Sequence, residues 1–321
     1  MKKKIIAFAL VLLLLTGCAA HRGATLLHAG APVSVETLLW IDSVPISLDL
    51  YRYYFCTTRA AFDGGDSSYW DTHLSEEPSL LSQTLEALRA AVALERFAEA
   101  RGLSLSEEEE KSVEDSLKKA KKAAGGESAF LLSLEKSYLT EEVYRGLLRQ
   151  SILREKLEKA LFAEGGEFFV SDEAFSEIVR SEFLCLRQIT LSASAVSRKT
   201  MEALAARAAE GEDFSVLIRE ALGEDASTEP LLVGRGYLVE DFETAARALE
   251  PGQVSGVVES AYGLHLIQRL PLPEDRIESE FSALKEEYCT NRFSLALSDL
   301  ADSFSVEFSP EYSYVGVETL N

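Results

Sequence analysis

The chain has 321 residues, with 53 acidic and 32 basic side chains and a formal net charge of −21 at pH 7. Proteins bind nucleic acids mainly through Lys and Arg at the phosphates, so a chain this acidic is not expected to bind nucleic acid. Its four histidines and four cysteines lack the spacing of metal ligands. The sequence therefore predicts neither a metal site nor a cofactor.

The N-terminus has the pattern of an exported lipoprotein. Three lysines at residues 2–4 precede an apolar run over residues 5–15, which is too short to cross a bilayer core of about 30 Å. The following Leu15-Thr16-Gly17-Cys18 resembles a bacterial lipobox, which implies cleavage before Cys18 and a diacylglycerol on its sulfur. An ordinary signal peptide with a chance cysteine and an uncleaved anchor are the alternatives. We expect a signal peptide over residues 1–17, a lipidated tether over residues 18–34, and an extracytoplasmic protein anchored to the bacterial cell membrane.

Three cysteines remain after Cys18, namely Cys56, Cys185 and Cys289. An odd count leaves at least one thiol unpaired in an oxidising compartment. Cys185 lies in a predicted buried strand and is expected to be a small core residue. A disulfide between Cys56 and Cys289 would join the first helical region to the last, and the sequence leaves this pairing open.

Residues 35–181 are predicted to form a mostly helical domain. Ser106 begins a capping box, which favours a helix start at that point. Apolar periodicity and cap residues predict helices over residues 48–62, 79–101, 107–124, 127–137, 140–163 and 171–182. A short strand over residues 35–40 precedes them. A long helix over residues 274–303 and an edge strand within residues 306–317 are predicted near the C-terminus.

Residues 182–271 follow a different pattern, in which short strands and short helices alternate. The sequence predicts, in order, a strand over 185–191, a helix over 196–210, a short helix up to 222, an amphipathic helix from 241, a β-run over 254–258 and a strand over 265–270. Pro251-Gly252 and Tyr262-Gly263 supply the turns on either side of the β-run.

Within this region, many residues have fixed spacings that are typical of one family. They are Phe242, Glu243, Ala245, Ala246, Leu249, Gly252, Val254, Ser255, Val258, Tyr262, Gly263, His265 and Ile267. The segment resembles the C-terminal half of the parvulin family of peptidyl-prolyl cis-trans isomerases. The resemblance implies a small antiparallel sheet wrapped by helices over residues 182–271.

Two shorter stretches, at residues 40–47 and 102–106, resemble the N-terminal domain of the PrsA and SurA foldases. This resemblance implies an α+β protein, in which a mostly helical chaperone domain over residues 35–181 is completed by a C-terminal helix and strand over residues 272–321. The parvulin-like domain would be inserted between them. In that family the helical domain is an open cradle for unfolded exported proteins, including their proline-containing segments.

Prolyl isomerisation needs little covalent machinery, because its barrier of about 20 kcal/mol comes from amide resonance. An enzyme lowers the barrier by holding proline in an apolar pocket and stabilising the twisted amide. The resemblance places Phe242 and Leu238 in the substrate-binding pocket, and His265 and Asp225 at its polar, catalytic floor. The alternatives are a core histidine, a turn acid and, for Phe242, simple core packing.

Two features of this expected site depart from the family. Gln188 replaces the first of two floor histidines, and the loop over residues 227–233 is shorter than usual. A glutamine donates and accepts hydrogen bonds but cannot change its charge. We therefore expect isomerase activity to be weakened or absent, with Gln188 as the third residue of the floor.

The sequence thus predicts a membrane-anchored foldase that binds unfolded exported proteins and retains weakened isomerase activity. The first alternative is a non-enzymatic holdase chaperone with an inactive parvulin domain, which Gln188 and the short loop favour. His265, Phe242 and Leu238 favour retained catalysis. An inert structural lipoprotein is the remaining alternative.

Overall fold

The computed structural model describes residues 23–320 of the chain. The predicted signal peptide and Cys18 lie outside the described residues. The chain divides into two compact units. The first contains the described residues up to Leu161 and those from Phe293 onward, and the second is Phe162–Arg292. The first unit is therefore discontinuous in sequence, and the second contains the whole of the predicted segment 182–271.

Nine strands and eleven helices are found within residues 23–320. The strands are β1 (Leu26–His28), β2 (Ala31–Val33), β3 (Thr37–Ile41), β4 (Val44–Ser47), β5 (Leu184–Leu191), β6 (Leu231–Val233), β7 (Val258–Ser260), β8 (Gly263–Leu270) and β9 (Val306–Phe308). The helices are α1 (Leu48–Asp63), α2 (Trp70–His73), α3 (Glu77–Glu99), α4 (Glu107–Ala123), α5 (Glu127–Glu135), α6 (Glu141–Phe162), α7 (Asp172–Glu182), α8 (Ala195–Ala209), α9 (Phe214–Leu222), α10 (Glu240–Ala248) and α11 (Glu274–Asp302). This confirms the predicted α+β class, mostly helical with a small antiparallel sheet.

Two helices of the first unit, α1 and α4, begin where a serine side chain caps them. Ser47 Oγ accepts the Leu50 N–H at the start of α1. At α4, Ser106 Oγ accepts the Glu109 N–H while the Glu109 carboxylate accepts the Ser106 N–H at 2.7 Å, which is the predicted capping box. These local bonds explain why the predicted helix starts agree with the structure to within a few residues.

Part of the predicted tether over residues 18–34 is ordered, which corrects that prediction. Strands β1 and β2 pair as a hairpin, and its turn residues Ala29 and Gly30 have positive φ angles of 50° and 79°, as tight hairpins favour. Leu26 is fully buried, and the Leu27 N–H donates to the Thr319 carbonyl at 2.9 Å. Burial of an apolar side chain against the end of the chain thus holds a segment whose composition resembles a linker.

The predicted edge strand within residues 306–317 is shorter than expected. Strand β9 pairs with β3 for three residues and is followed by a 3₁₀ turn over Pro310–Tyr314. Proline has no N–H to donate to a strand partner, so Pro310 ends the strand.

In the second unit, four antiparallel strands form a sheet in the order β6-β5-β8-β7. Side chains alternate between the two faces, as a strand requires. One face packs against α8 and α9 through the cluster Ile189, Met201, Leu204, Phe214, Leu217, Ile218, Leu264 and Leu266. The opposite face packs against α10 through the cluster Leu184, Leu186, Phe242, Ala246 and Ile267. The α10 face of the sheet carries the candidate site.

The three described cysteines are free thiols and all are buried. Cys56 and Cys289 are therefore unpaired, so the disulfide that the sequence left undecided is not formed. Cys185 is a core residue of β5, as predicted. Burial raises the pKa of the Cys56 thiol to about 11, which keeps it protonated and unreactive at neutral pH.

Within residues 23–320, no helix has both the length and the apolar character that a membrane span needs. The same part of the chain has no group of three or more His, Cys, Asp or Glu side chains placed to hold a metal ion.

Candidate active site

His265 is the centre of the candidate site. It lies on β8, is 5% exposed, and stands directly opposite Thr190 of β5 in the strand register. Its Nδ1 is 3.0 Å from Thr190 Oγ1, and its Nε2 is 2.7 Å from Ser260 Oγ. Both ring nitrogens are therefore held by hydroxyl groups, which fixes the plane of the imidazole.

The neighbouring bonds indicate which ring nitrogen carries the proton. The Thr190 hydroxyl donates to Gln188 Oε1 at 3.5 Å, the outer limit for such a bond. A hydroxyl has one proton, so Thr190 then accepts from His265, whose Nδ1 is protonated. Nε2 of the neutral ring is left as an acceptor for the Ser260 hydroxyl. Ser260 Oγ also accepts the Tyr262 N–H at 3.1 Å, which continues the chain of bonds into the turn.

Burial lowers the pKa of His265 below its ordinary value, because the charged ring loses solvation. Burial therefore favours the neutral form of the ring, in which one nitrogen donates and the other accepts.

An apolar wall lies beside the imidazole. The Phe242 ring meets the His265 ring edge-to-face, with centroids 5.2 Å apart and planes at 90°. Phe242 belongs to the buried cluster on the α10 face, and Leu238 packs against that cluster while staying half-buried. The site thus places an imidazole, with both nitrogens bonded to hydroxyl groups, directly beside apolar surface that could take a bound apolar ring.

Leu238 lies in a loop that α10 holds in place. Glu243 accepts the Gly236 N–H at 2.9 Å through one carboxylate oxygen and pairs with Arg247 at 2.7 Å through the other. Arg247 also donates to the Glu182 carbonyl at 3.0 Å. Arg247 thus connects α10 to the end of α7, and through Glu243 to the loop before α10.

The structure brings some of the predicted site residues together and leaves one out. Gln188 lies on the same face as His265, two residues before Thr190, and is half-buried. It contacts Thr190, with no hydrogen bond to His265 itself. Asp225 is exposed in the turn closed by the Ala226 N–H and the Gly223 carbonyl at 3.0 Å. No hydrogen bond or ion pair of Asp225 occurs within residues 23–320, so the structure does not join it to the histidine.

Thr190 and Ser260 are site residues that the sequence analysis missed. Thr190 shares the face of Gln188 because it follows two residues later in the same strand. Ser260 pairs with Gly263 across the β7–β8 turn, which places its hydroxyl next to residue 265. The available signal was the presence of polar residues in otherwise apolar strands. Whether such a residue reaches the site depends on the register of strand pairing, which composition does not give.

The environment of His265 predicts a pH-dependent stability for the second unit. Because its folded pKa lies below its unfolded value of about 6.5, the unfolded chain binds the proton more readily. The contribution of the neutral ring is fully present above about pH 6.5 and is lost as the pH falls through the folded pKa. We expect the stability difference between the native chain and His265→Gln to shrink as the pH falls, measured by urea unfolding at several pH values.

Ring-proton NMR shifts of His265 provide the direct check, with His265→Gln identifying the resonance. A pKa at or above the ordinary value for histidine would contradict this account of the site.

Comparison with known proteins adds independent information. Residues 186–270 match the family model described as Rotamase, the PPIC-type PPIase domain. The chaperone SurA of Ralstonia nicotianae is 34% identical over 121 residues, which cover 35% of this chain and 24% of the relative. The foldase protein PrsA of a Geobacillus strain is 33% identical over 94 residues, which cover 28% of this chain and 33% of the relative. The chain thus spans a third or less of the length of these relatives.

Among solved structures, PrsA from Bacillus anthracis aligns with 67% of this chain and 95% of that chain, at 19% identity and a TM-score of 0.40.

Proposed function

We propose that this chain, which carries a parvulin-type PPIC domain at residues 186–270 and is related to the PrsA and SurA foldases, is a membrane-anchored extracytoplasmic foldase. In this proposal it binds unfolded exported proteins and accelerates their folding, with weakened prolyl isomerase activity. The anchor is a lipid on Cys18. Phe242 and Leu238 hold the substrate, His265 and Gln188 belong to the polar floor, and the parvulin-like domain has its boundaries near residues 182 and 271.

The position of the His265 imidazole, held by Thr190 and Ser260 against Phe242, is the observation that carries the proposal. Prolyl rotation has a barrier of about 20 kcal/mol, and no bond to a nucleophile has to form. Apolar surface at Phe242 and Leu238 suits a proline ring. Preoriented hydrogen-bonding groups next to that surface can stabilise the amide as it loses resonance.

Gln188 and Asp225 support the weakened activity. Gln188 cannot change its charge, and it supports His265 only through Thr190. Asp225 stays exposed and unjoined to the hydrogen-bonded group, so its proposed catalytic role requires a movement of the loop that contains it.

Catalysed refolding tests the proposal. A client whose refolding is limited by trans-to-cis isomerisation of one proline is followed with and without the full chain in nonionic detergent. We expect the native chain to accelerate refolding of the client. Leu238→Ser should remove most of this acceleration, and Gln188→His should increase it. Val216→Ser is the matched control, because Val216 is exposed on α9, which packs against the opposite face of the sheet.

The holdase alternative rests on Gln188 and on the separate position of Asp225. Suppressed aggregation of an unfolded client without any acceleration would favour it over the isomerase. If neither acceleration nor suppressed aggregation occurred, the foldase assignment would fail as a whole. Loss of membrane association in Cys18→Ser would support the anchor.

A further inference from the structure

The first unit contains a cavity of about 670 Å³ that no step of the proposed isomerisation uses. It lies where the segment before β3, the start of α1 and the N-terminal half of α6 come together. Its lining is Gly23, Ala24, Val35, Glu36, Pro45, Ser47, Leu48, Asp49, Leu50, Glu95, Thr140, Glu142, Val143, Gly146, Leu147 and Gln150. Four of these residues are acids, and Lys and Arg are absent from the lining.

The four carboxylates, of Glu36, Asp49, Glu95 and Glu142, are not neutralised by neighbouring cations. Within residues 23–320 none of them has a basic group within 4 Å, whereas acids elsewhere in the same unit form ion pairs, such as Glu109 with Lys156 at 2.7 Å. Asp49 accepts the Ala24 N–H and Glu95 accepts from Gln150. The cavity is therefore a region of negative potential that attracts cations.

The carboxylates are spread around the cavity instead of converging on one point. The described residues contain no group of three or more potential metal ligands, so a single metal ion does not fit this arrangement. Between the acids lie apolar side chains, of which Leu50 and Leu147 are half-buried and pack on the core cluster that contains Phe130 and Val143. The lining thus combines apolar surface with negative charge.

Gly146 leaves the backbone of α6 bare where that helix lines the cavity. It lies inside α6, where glycine is a poorer helix former than alanine. A Cβ atom at Gly146 would have no protein atom within 4 Å, so packing does not explain the missing side chain. Its place in the cavity lining does, because a bound chain can approach the bare helix backbone more closely there.

We propose that this cavity binds a cationic, apolar segment of an unfolded client, in which Lys or Arg alternate with apolar residues. The inference rests on the proposed foldase function and names its substrate class. Lys and Arg lay their aliphatic stems on apolar surface and direct their charged ends outward, which matches leucines flanked by carboxylates. A second copy of this chain is a poor occupant, because its net charge of −21 repels the same sign.

Paired peptides test the proposal on the full chain in nonionic detergent. Two fluorescein-labelled, extended peptides have the same Leu, Ser and Pro positions and differ only in Lys or Glu at the remaining positions. We expect fluorescence anisotropy to show binding of the Lys peptide, weakening as salt rises, and little binding of the Glu peptide. Empty micelles supply the background.

Charge removal in the cavity has a matched control elsewhere in the same unit. The double variant Glu36→Gln with Glu142→Gln is expected to weaken binding of the Lys peptide by roughly three- to tenfold. The control double variant Glu108→Gln with Glu318→Gln removes the same charge outside the cavity. Glu108 is the second residue of α4 as Glu142 is of α6, and both control acids are exposed. The control is expected to bind like the native chain.

Gly146→Leu separates binding from folding. Leucine is a better helix former than glycine, and a Cβ atom at this position has no neighbour within 4 Å. The midpoint temperature of thermal unfolding should therefore rise by about 2 °C or more. The same side chain fills the cavity, so Lys-peptide binding should fall at least as far as in the double variant. A more stable protein with unchanged binding would overturn the assignment of the cavity.

Aggregation of an unfolded client, measured in the same samples, distinguishes this inference from the proposed function. Equal binding of the Lys and Glu peptides, with aggregation still suppressed, would overturn the cavity proposal and leave the foldase standing. Loss of both peptide binding and aggregation suppression in the native chain would overturn both.

Discussion

Alanine in place of Phe242 is expected to remove most of the prolyl isomerase activity and to destabilise the second unit by about 3–5 kcal/mol. Phe242 is 4% exposed and is the largest member of the cluster between α10 and the sheet. Burial of an apolar ring contributes about 1.5–3 kcal/mol, so losing its contact with a proline ring should slow catalysis by roughly 10- to 100-fold. Urea unfolding and the proline-limited refolding assay measure the two effects.

Phe214→Ala is the control that separates catalysis from folding. Phe214 is similarly buried, but it packs with α9 on the opposite face of the sheet. We expect a comparable loss of stability and, at temperatures where both variants remain folded, a much smaller loss of activity. Equal losses of activity in the two variants would mean that Phe242 acts only as a core residue.

The second large effect is expected for Gly263→Ala, at the start of β8. Gly263 has a φ of 130°, which side chains rarely tolerate, and a Cβ atom there would lie 2.3 Å from the Leu191 carbonyl oxygen. That oxygen belongs to the backbone of β5, so relief requires the two strands to separate. The β7–β8 turn also positions Ser260 against His265. We expect a destabilisation of roughly 3 kcal/mol or more, with the His265 ring resonance shifted toward that of an exposed histidine.

Gly256→Ala is the matched control in the segment before β7. A Cβ atom at Gly256 has no neighbour within 4 Å, and its φ lies outside the region that needs glycine. We expect a change within about 0.5 kcal/mol in unfolding free energy and no change in the His265 resonance. A tolerated Gly263→Ala would show that the turn adapts more freely than this backbone geometry implies.

Local signals in the sequence predicted the helices well. Contacts that depend on pairing between distant strands were not predictable from the sequence. The capping box at Ser106 and the periodic apolar residues of α10 are encoded within a few neighbouring residues. The family resemblance of the segment that contains Phe242 and His265 is confirmed by the match over residues 186–270. The partners of His265 were not predictable in this way. Thr190 reaches the ring because β5 and β8 pair in one register, although 75 residues separate them in sequence.

Two features of the structure that the local sequence did not indicate have the same physical origin. Residues 26–33 have the composition of a linker, yet Leu26 finds a buried position next to Leu320, at the far end of the chain. Asp225 has the spacing of a family site residue, yet a shorter following loop accompanies a turn that leaves it exposed. In each case the outcome depends on what lies nearby in space, which the local sequence does not specify.

The hairpin of residues 26–33 also limits how far the folded body can stand from a lipid bilayer. With the acyl chains on Cys18, only eight peptide steps lead to Leu26, where the chain joins Thr319 and Leu320. Fully extended, these steps reach at most about 28 Å. This reach is shorter than a small domain is wide, so the proposed lipid anchor on Cys18 would hold the first unit at the height of the lipid headgroups.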